Sequence, residues 1–125
     1  MLPETYDLKK GSIYPVSPLR PEFVESAYYL FKATGDSKYQ EMGLHFFRNM
    51  KEQARNSVAY ASLEHAGGKV KLDSLESFFF AETMKYLYLL FSNSTFIDTE
   101  TMVFNTEAHP VCKVNGCFKQ PARSE

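Results

Sequence analysis

The stretch DSLESFFFAETMKYLYLLF, residues 73–91, decides the fold class of this chain. Asp73 followed by Glu76 resembles a capping box, so a helix is predicted over about 74–91. Large apolar side chains fall on nearly every side of that helix: Phe78, Phe79, Phe80, Met84, Leu87, Leu89, Leu90 and Phe91. A helix that is apolar all round is buried within a larger protein. The stretch therefore indicates a mainly α fold, and three helices alone would not cover it well.

Two amphipathic helices are predicted ahead of this stretch. The first runs over about 21–34, with Pro21 suited to its first position and Gly35 to its end. The second runs over about 37–55, with Asp36 as its N-cap. The apolar stripes consist of Phe23, Val24, Ala27, Tyr28, Leu30 and Phe31 in the first helix and Tyr39, Met42, Phe46 and Met50 in the second. This spacing predicts one buried face on each helix, as in a helical hairpin.

The remaining segments predict short β-structure and loops. Residues 58–72 change to an alternating period around Gly67 and Gly68, which predicts a small β-hairpin. Residues 102–107 predict a short strand, and residues 1–20, which are rich in proline and lack a period, predict an extended opening segment. The composition of residues 111–125 is that of a disordered tail.

Composition narrows the function classes. Apolar residues make up 44% of the 125, which argues against a chain that is disordered overall. The net charge of −1 gives no long-range attraction for nucleic acid or an anionic membrane.

Residues 75–91 include Glu76, Glu82 and Lys85, so they do not predict a membrane span. Residues 1–4 do not resemble a signal peptide; a chain complete as given is expected in the cytosol, whereas a fragment would have its targeting signal upstream.

Two features near the C-terminus depend on the compartment. Cys112 and Cys117 lie close enough for a small disulfide loop in an oxidising lumen, and two free thiols are the alternative. Asn93-Ser94-Thr95 is an N-glycosylation sequon, which matters only if the chain enters the secretory pathway.

Three carboxylates stand out. Glu22 and Glu25 share one face in the first turn of the first helix, where the helix dipole favours acidic side chains in any protein. Glu82 is less easily explained, because it interrupts an apolar helix. A buried carboxylate is costly unless it is paired, hydrated or beside a cation. Pairing with Lys85 is one explanation, and a wet, charged cavity that makes Glu82 a site candidate is the other.

Three blocks of sequence together resemble the C-terminal part of the α-1,2-mannosidases of glycoside hydrolase family 47. They are PLRPEFVES at 18–26, LESFFFAET at 75–83 and NTEAHP at 105–110, and the resemblance extends from about Leu2 to Pro110. It implies that residues 1–110 are the C-terminal segment of a catalytic domain. The implied fold is the last quarter or so of an (α/α)6 barrel, a toroid of six or seven helical hairpins.

The resemblance also implies a calcium site. Thr106 would be the one direct protein ligand, through its side-chain and backbone oxygens. Waters would complete the sphere, oriented by Glu22, Glu25, Glu82 and Glu107. By the same resemblance, Glu22 is the catalytic base, and the substrate-binding residues are Arg20, Phe78, Glu82 and Glu107. The proposed general acid of the family lies upstream of these residues, so the isolated chain is expected to lack activity.

The implied function is calcium-dependent removal of α-1,2-linked mannose from high-mannose N-glycans, with inversion, in the endoplasmic reticulum or secretory pathway. Leu2-Pro3-Glu4 and the phrase at 33–36 resemble the branch that enhances degradation of misfolded glycoproteins. Ser74, where the family usually has a basic residue, departs from the pattern. The expected partners are such glycans and the N-terminal part of the barrel. The alternatives are a non-catalytic remnant that binds mannose or glycoprotein, and a helical interaction module.

Overall fold

The computed structural model describes residues 1–92 and 97–113. The chain divides into two compact units, Met1–Ser92 and Asn93–Glu125. The first contains strands β1 (Thr5–Asp7) and β2 (Ser12–Tyr14), helices α1 (Glu22–Thr34) and α2 (Lys38–Gln53), and a π-helix (Phe79–Met84) that continues into α3 (Lys85–Phe91). The described part of the second contains strands β3 (Met102–Phe104) and β4 (Pro110–Cys112). The described chain is therefore mainly helical, with two small sheets.

Both amphipathic helices are confirmed. Helix α1 follows Pro21 and ends at Gly35, whose φ of 69° is left-handed and whose N–H donates to the Phe31 carbonyl. Helix α2 begins at Lys38 with Ser37 as its N-cap, so the N-cap predicted at Asp36 is one residue early, although the Asp36 carboxylate does accept the Lys38 N–H at 3.0 Å. The dipole-favoured positions at both helix starts hold acids, Glu22 in α1 and Glu41 in α2.

The core of the first unit lies among α1, α2 and the helix formed by residues 79–91. Gly43 of α2 faces Leu90 so closely that a Cβ at this position would clash with the leucine side chain. Leu90 is 1% exposed, so it has little room to move aside. The other buried residues of these helices include Val24, Ala27, Tyr28, Phe46, Met50, Phe79, Thr83, Tyr86 and Leu87. Glycine at position 43 thus lets two helices approach closely.

The third helix differs from the prediction at its start. It begins at about Phe78 instead of Ser74, and Phe79–Met84 form a π-helix. The predicted capping box is wrong, because the Ser74 hydroxyl donates to the Glu76 carboxylate and the Ser74 carbonyl accepts the Ser62 N–H. The segment before Phe78 is therefore not helical. The predicted poor coverage of this helix by three helices alone is confirmed, since Phe80 and Tyr88 are 60% and 63% exposed.

The hairpin predicted at 58–72 forms only isolated bridges. The chain does reverse near Gly68, whose N–H donates to the His65 carbonyl, and Leu63 bridges Lys71. Leu63 also exchanges both of its backbone hydrogen bonds with Ser17 in the opening segment. Because the backbone N–H and carbonyl of Leu63 are used to pair with Ser17, a regular two-stranded ladder does not form between the two arms of the predicted hairpin. The regular strands of this unit, β1 and β2, lie instead in the opening segment, where Tyr6 pairs with Ile13.

The second unit contains an antiparallel hairpin. Phe104 pairs with Pro110 and Met102 with Cys112, which confirms the short strand predicted at 102–107. Val111 and Cys112 belong to β4, so they are not part of a disordered tail as predicted. Cys112 is disulfide-bonded. Cys117, the remaining tail from 114 and the sequon at 93–95 lie outside the described residues.

No helix within residues 1–92 or 97–113 combines the length and the apolar character that crossing a bilayer requires.

Candidate functional site

The backbone before Arg20-Pro21-Glu22 is in an uncommon conformation. Leu19 has a φ of 63° and is completely buried. Bulky side chains rarely occupy this left-handed region. The Leu19 carbonyl accepts a 2.7 Å hydrogen bond from the hydroxyl of Thr83, which is also completely buried. The left-handed turn thus sets the direction in which the chain enters α1, and Thr83 fixes the turn.

Arg20 is held on two sides. Its Nε donates to Glu4 Oε2 at 2.6 Å and its Nη2 donates to Glu4 Oε1, a bidentate pair. The guanidinium carbon lies 5.2 Å from the centre of the Phe78 ring, in cation–π geometry. The hydrogen bonds that Arg20 donates to Glu4 lower the pKa of Glu4. The same hydrogen bonds raise the pKa of Arg20, and the negative charges of Glu22 and Glu76 raise it further. Arg20 is therefore a fixed positive charge beside an aromatic face.

A cavity of about 500 Å³ opens next to this pair. Glu4, Arg20 and Glu22 supply its charged groups. Phe23 and Phe46 form its apolar wall, with ring centres 5.6 Å apart and nearly parallel planes. Glu22 is exposed and stands in the first turn of α1. The arrangement offers a carboxylate and a guanidinium to a polar ligand beside aromatic rings.

Glu25 is half-buried one turn further along α1. It accepts a 3.1 Å hydrogen bond from the phenol of Tyr86, which is 1% exposed. Burial, and then the charge of Glu25, raise the pKa of Tyr86 well above the usual range for tyrosine. The phenol therefore stays protonated and continues to orient the Glu25 carboxylate.

Glu82 lies within the π-helix and is partly buried. Glu82 has an interaction partner, and so does Lys85, with which it was predicted to pair. Phe78 stands at the start of the π-helix and is half-buried. A π-helical turn is rare and is often found at functional sites, so this segment is unusual in both conformation and composition.

In the second unit, Thr106 and Glu107 lie in the loop between β3 and β4, and both are exposed. Asn105 organises this loop, because its Oδ1 accepts the N–H of Glu107 at 3.0 Å and of His109 at 2.9 Å. Ala108 is 1% exposed with a left-handed φ of 55°. The loop therefore holds Thr106 and Glu107 outward on a tightly hydrogen-bonded turn.

The donor atoms suit calcium. Calcium prefers oxygen ligands, and the Thr106 hydroxyl and carbonyl, with the carboxylates of Glu22, Glu25, Glu82 and Glu107, are all oxygen donors. Across residues 1–92 and 97–113, no three or more His, Cys, Asp or Glu side chains converge to form a metal site. An ion here would therefore depend on hydroxyl and carbonyl oxygens and on waters.

The predicted site residues fall into two groups. Arg20, Glu22, Glu25, Phe78 and Glu82 belong to the first unit, and Thr106 and Glu107 to the second. Within the first unit, the structure brings Arg20 together with Glu22 at the cavity and with Phe78 in ring contact.

Sequence reasoning missed the residues that hold these groups in place. Glu4 pairs with Arg20 across 16 positions, Thr83 bonds Leu19 across 64, and Tyr86 bonds Glu25 across 61. Contacts at such separations leave no periodic signal in one sequence. Thr83 gave one local signal, because it is a polar residue in an apolar helix next to Glu82.

Comparison with known proteins identifies the family of this chain. Residues 4–113 match Glycosyl hydrolase family 47. The chain is 44% identical over 105 residues to a mannosyl-oligosaccharide 1,2-alpha-mannosidase of Arabidopsis thaliana, covering 84% of this chain and 18% of that protein. It is 42% identical over 110 residues to the human ER degradation-enhancing alpha-mannosidase-like protein 3, covering 86% of this chain and 12% of that protein.

A solved structure gives the same result for the fold. The alpha-1,2-mannosidase from Trichoderma reesei superposes with a TM-score of 0.72 at 39% identity, covering 78% of this chain and 22% of that one. The chain thus spans less than a quarter of each of these three proteins. The matched region includes all three sequence blocks that carry the resemblance, and we conclude that this chain belongs to glycosyl hydrolase family 47.

Proposed function

We propose that this chain is the C-terminal part of an α-1,2-mannosidase that removes mannose from high-mannose N-glycans with inversion, assisted by calcium. The observation that carries this proposal is the joint placement of Arg20 and Glu22 at one cavity, with Phe78 against Arg20, in a chain of this family. The relatives named above are mannosidases or alpha-mannosidase-like proteins. In this proposal residues 1–110 complete an (α/α)6 barrel.

Glu22 is the base in this proposal. An inverting glycosidase needs one carboxylate to activate water and a carboxylic acid to protonate the leaving oxygen. Glu22 is exposed at the cavity, so its carboxylate is accessible to a water molecule that it would activate. The acid that protonates the leaving oxygen is not among the residues assigned here, so this chain would supply half of the pair.

The cofactor in this proposal is calcium. Thr106 would bind it directly, and Glu22, Glu25, Glu82 and Glu107 would hold its waters. When bound, the ion would orient sugar hydroxyl groups by replacing part of their hydration. The rigid loop around Asn105 supports this assignment, because it fixes the Thr106 backbone while leaving the side chain exposed.

Substrate contacts would come from a ring and from charges. Sugars present apolar C–H faces that pack on aromatic rings, and Phe78 is half-buried and backed by the Arg20 guanidinium. Arg20, Glu82 and Glu107 would form hydrogen bonds to sugar hydroxyls. We further propose that the protein works in the endoplasmic reticulum or secretory pathway, which the name of the human relative supports.

Glu22→Gln tests the base directly. In the complete native polypeptide that carries residues 1–125, this change should lower kcat on an α-1,2-linked mannose disaccharide by about 100- to 10,000-fold, because general-base catalysis contributes that much. KM should change little, since glutamine keeps the shape of the side chain.

Glu41→Gln is the matched control. Glu41 is an exposed acid in the first turn of α2, as Glu22 is in α1. Both changes remove one charge at a helix N-terminus and should cost similar stability. Equal kcat values for the two variants would remove Glu22 from the role of base.

A second candidate function is binding of mannose or glycoprotein without cleavage, because the candidate site residues include a base and no general acid. Calcium-dependent mannose binding without hydrolysis, measured by calorimetry on the 125-residue chain, would favour this candidate. Binding to peptides that is insensitive to a chelator would favour a helical interaction module instead.

A further inference from the structure

We infer that Thr83 is a positioning residue that ties the π-helix carrying Glu82 to the backbone that carries Arg20 and Glu22. The inference rests on the proposed function and names a residue that does not itself touch substrate. Its basis is one hydrogen bond, 2.7 Å from the Thr83 hydroxyl to the Leu19 carbonyl, between two residues that are both 0% exposed. A hydrogen bond with no exposed atoms around it is not exchanged for water, so its geometry persists.

Leu19 is the first half of this connection. Its left-handed φ of 63° is unfavourable for a bulky residue and persists only where surrounding contacts impose it. The carbonyl of the same residue is the acceptor for Thr83. Loss of the donor would leave a buried carbonyl without this bond and would weaken a restraint on the turn. Arg20 follows Leu19 directly, so a change in the turn would move the Arg20–Glu4 pair and Glu22 together.

The π-helix is the second half. In an α-helix, a threonine hydroxyl commonly bonds the carbonyl three or four residues earlier, as Thr34 does with Leu30 at 2.7 Å. Thr83 instead bonds a residue 64 positions away. A π-turn holds an extra residue relative to an α-turn, so it alters which side chains share a face. The Thr83 bond therefore fixes the rotation of the segment that includes its neighbour, Glu82.

The Thr83–Leu19 hydrogen bond therefore controls the position of Glu82 relative to Glu22. Glu22 and Glu82 lie on different segments, and the Thr83–Leu19 bond joins positions one residue from Glu82 and three from Glu22. Small misplacements of catalytic groups are costly, with about 100-fold in rate for 1 Å. Loss of the Thr83 hydrogen bond should therefore lower turnover more than loss of a side-chain hydrogen bond that lies away from the site.

Three variants of the complete native polypeptide test this inference. Thr83→Val removes the hydroxyl and keeps the shape, and Thr83→Ser keeps the hydroxyl. Thr34→Val removes an exposed hydroxyl whose partners, the Leu30 carbonyl and the Asp36 N–H, are both local. We would measure kcat and KM on an α-1,2-linked mannose disaccharide, together with the unfolding midpoint. Thr83→Val should lower kcat by about 10- to 100-fold with a small change in KM. Thr83→Ser should restore most of kcat, and Thr34→Val should resemble the unchanged protein.

Two results would overturn the inference. One is a folded Thr83→Val variant with the kcat of the unchanged protein. The other is a pair of Thr83 variants whose kcat falls only in step with their unfolding midpoints, with no rescue by serine. If Thr83→Val does not fold, Thr83→Ala removes the same donor without placing a methyl group next to the Leu19 carbonyl, and the same comparison with Thr83→Ser applies. An unchanged protein that does not cleave the disaccharide would instead overturn the proposed function, and this inference with it.

Discussion

At the residue scale, two of the side chains that carry chemistry are held by partners far away in the chain. Glu4 orients Arg20 and Tyr86 orients Glu25, whereas Asn105 organises the loop of its neighbour Thr106. The charged side chains were visible in the sequence, because their types and spacing match a known family. The partners were not, since a single sequence contains no record of contacts between distant positions.

Asn105 provides one prediction at this scale. Asn105→Ala removes the acceptor for two backbone N–H groups of the loop, so Thr106 and Glu107 lose their fixed geometry. Loss of a group that orients a metal ligand commonly costs 10- to 100-fold in metal affinity. We therefore expect calcium affinity, measured by isothermal titration of the complete polypeptide, to fall by at least about tenfold.

Asn56 offers the matched control for this prediction. Its Oδ1 also accepts two backbone N–H groups, those of Val58 and Ala59, in a loop of the first unit. Asn56→Ala should cost similar stability and leave calcium affinity unchanged. Equal calcium affinities for the two variants would show that the Asn105 turn does not hold a calcium ligand.

Glu4 provides a pH-dependent prediction. Hydrogen bonds from Arg20 lower the pKa of Glu4 in the folded protein below its usual value of about 4.3. The pair therefore contributes its full stability above that pH and loses it as the pH falls through the folded pKa. Urea unfolding at a series of acidic pH values should show a smaller loss of stability for Glu4→Gln than for the unchanged protein. Parallel pH profiles for the two proteins would contradict this account.

At the element scale, the structure separates what periodicity can predict from what it cannot. Helices α1 and α2 were predicted because their apolar stripes, Pro21 and Gly35 act locally. The start of the third helix was predicted wrongly because Ser62 takes the Ser74 carbonyl as its hydrogen-bond acceptor. The hairpin at 58–72 failed for a similar reason, since Leu63 pairs with the distant Ser17. In both cases a tertiary hydrogen bond prevented the structure that the local sequence favours.

Gly43 tests the close approach of the helices. Gly43→Ala places a methyl group against Leu90, which is buried and closely packed, so the helices must separate or the leucine must change rotamer. Overpacking of this kind costs about 1 to 3 kcal/mol of unfolding free energy, against a gain of less than about 1 kcal/mol in helix propensity. Chemical denaturation should therefore show a net loss of stability.

Gly67 is the control for this change. A Cβ at Gly67 would make only ordinary contacts with His65, at 3.6 Å and beyond. Gly67→Ala should therefore leave the unfolding free energy nearly unchanged. A Gly43→Ala variant as stable as Gly67→Ala would show that α2 and the third helix do not pack as closely as described.

At the scale of the whole molecule, the candidate site residues are distributed over the two compact units of the chain. An inverting mechanism also requires a general acid, and none of the candidate residues has that role in the proposed function. The family could be identified from 125 residues because the three sequence blocks are specific. The complete catalytic apparatus could not, because the matched region is less than a quarter of each protein compared.

The most direct test of the central claim is the anomeric form of the released sugar. The complete native polypeptide would be incubated with a high-mannose N-glycan, and the first product would be followed by proton NMR with and without a calcium chelator. Our account predicts β-mannose as the initial product, because inversion at an α-linkage gives the β-anomer, and no release in the presence of the chelator. Initial release of α-mannose, or release that the chelator does not affect, would contradict it.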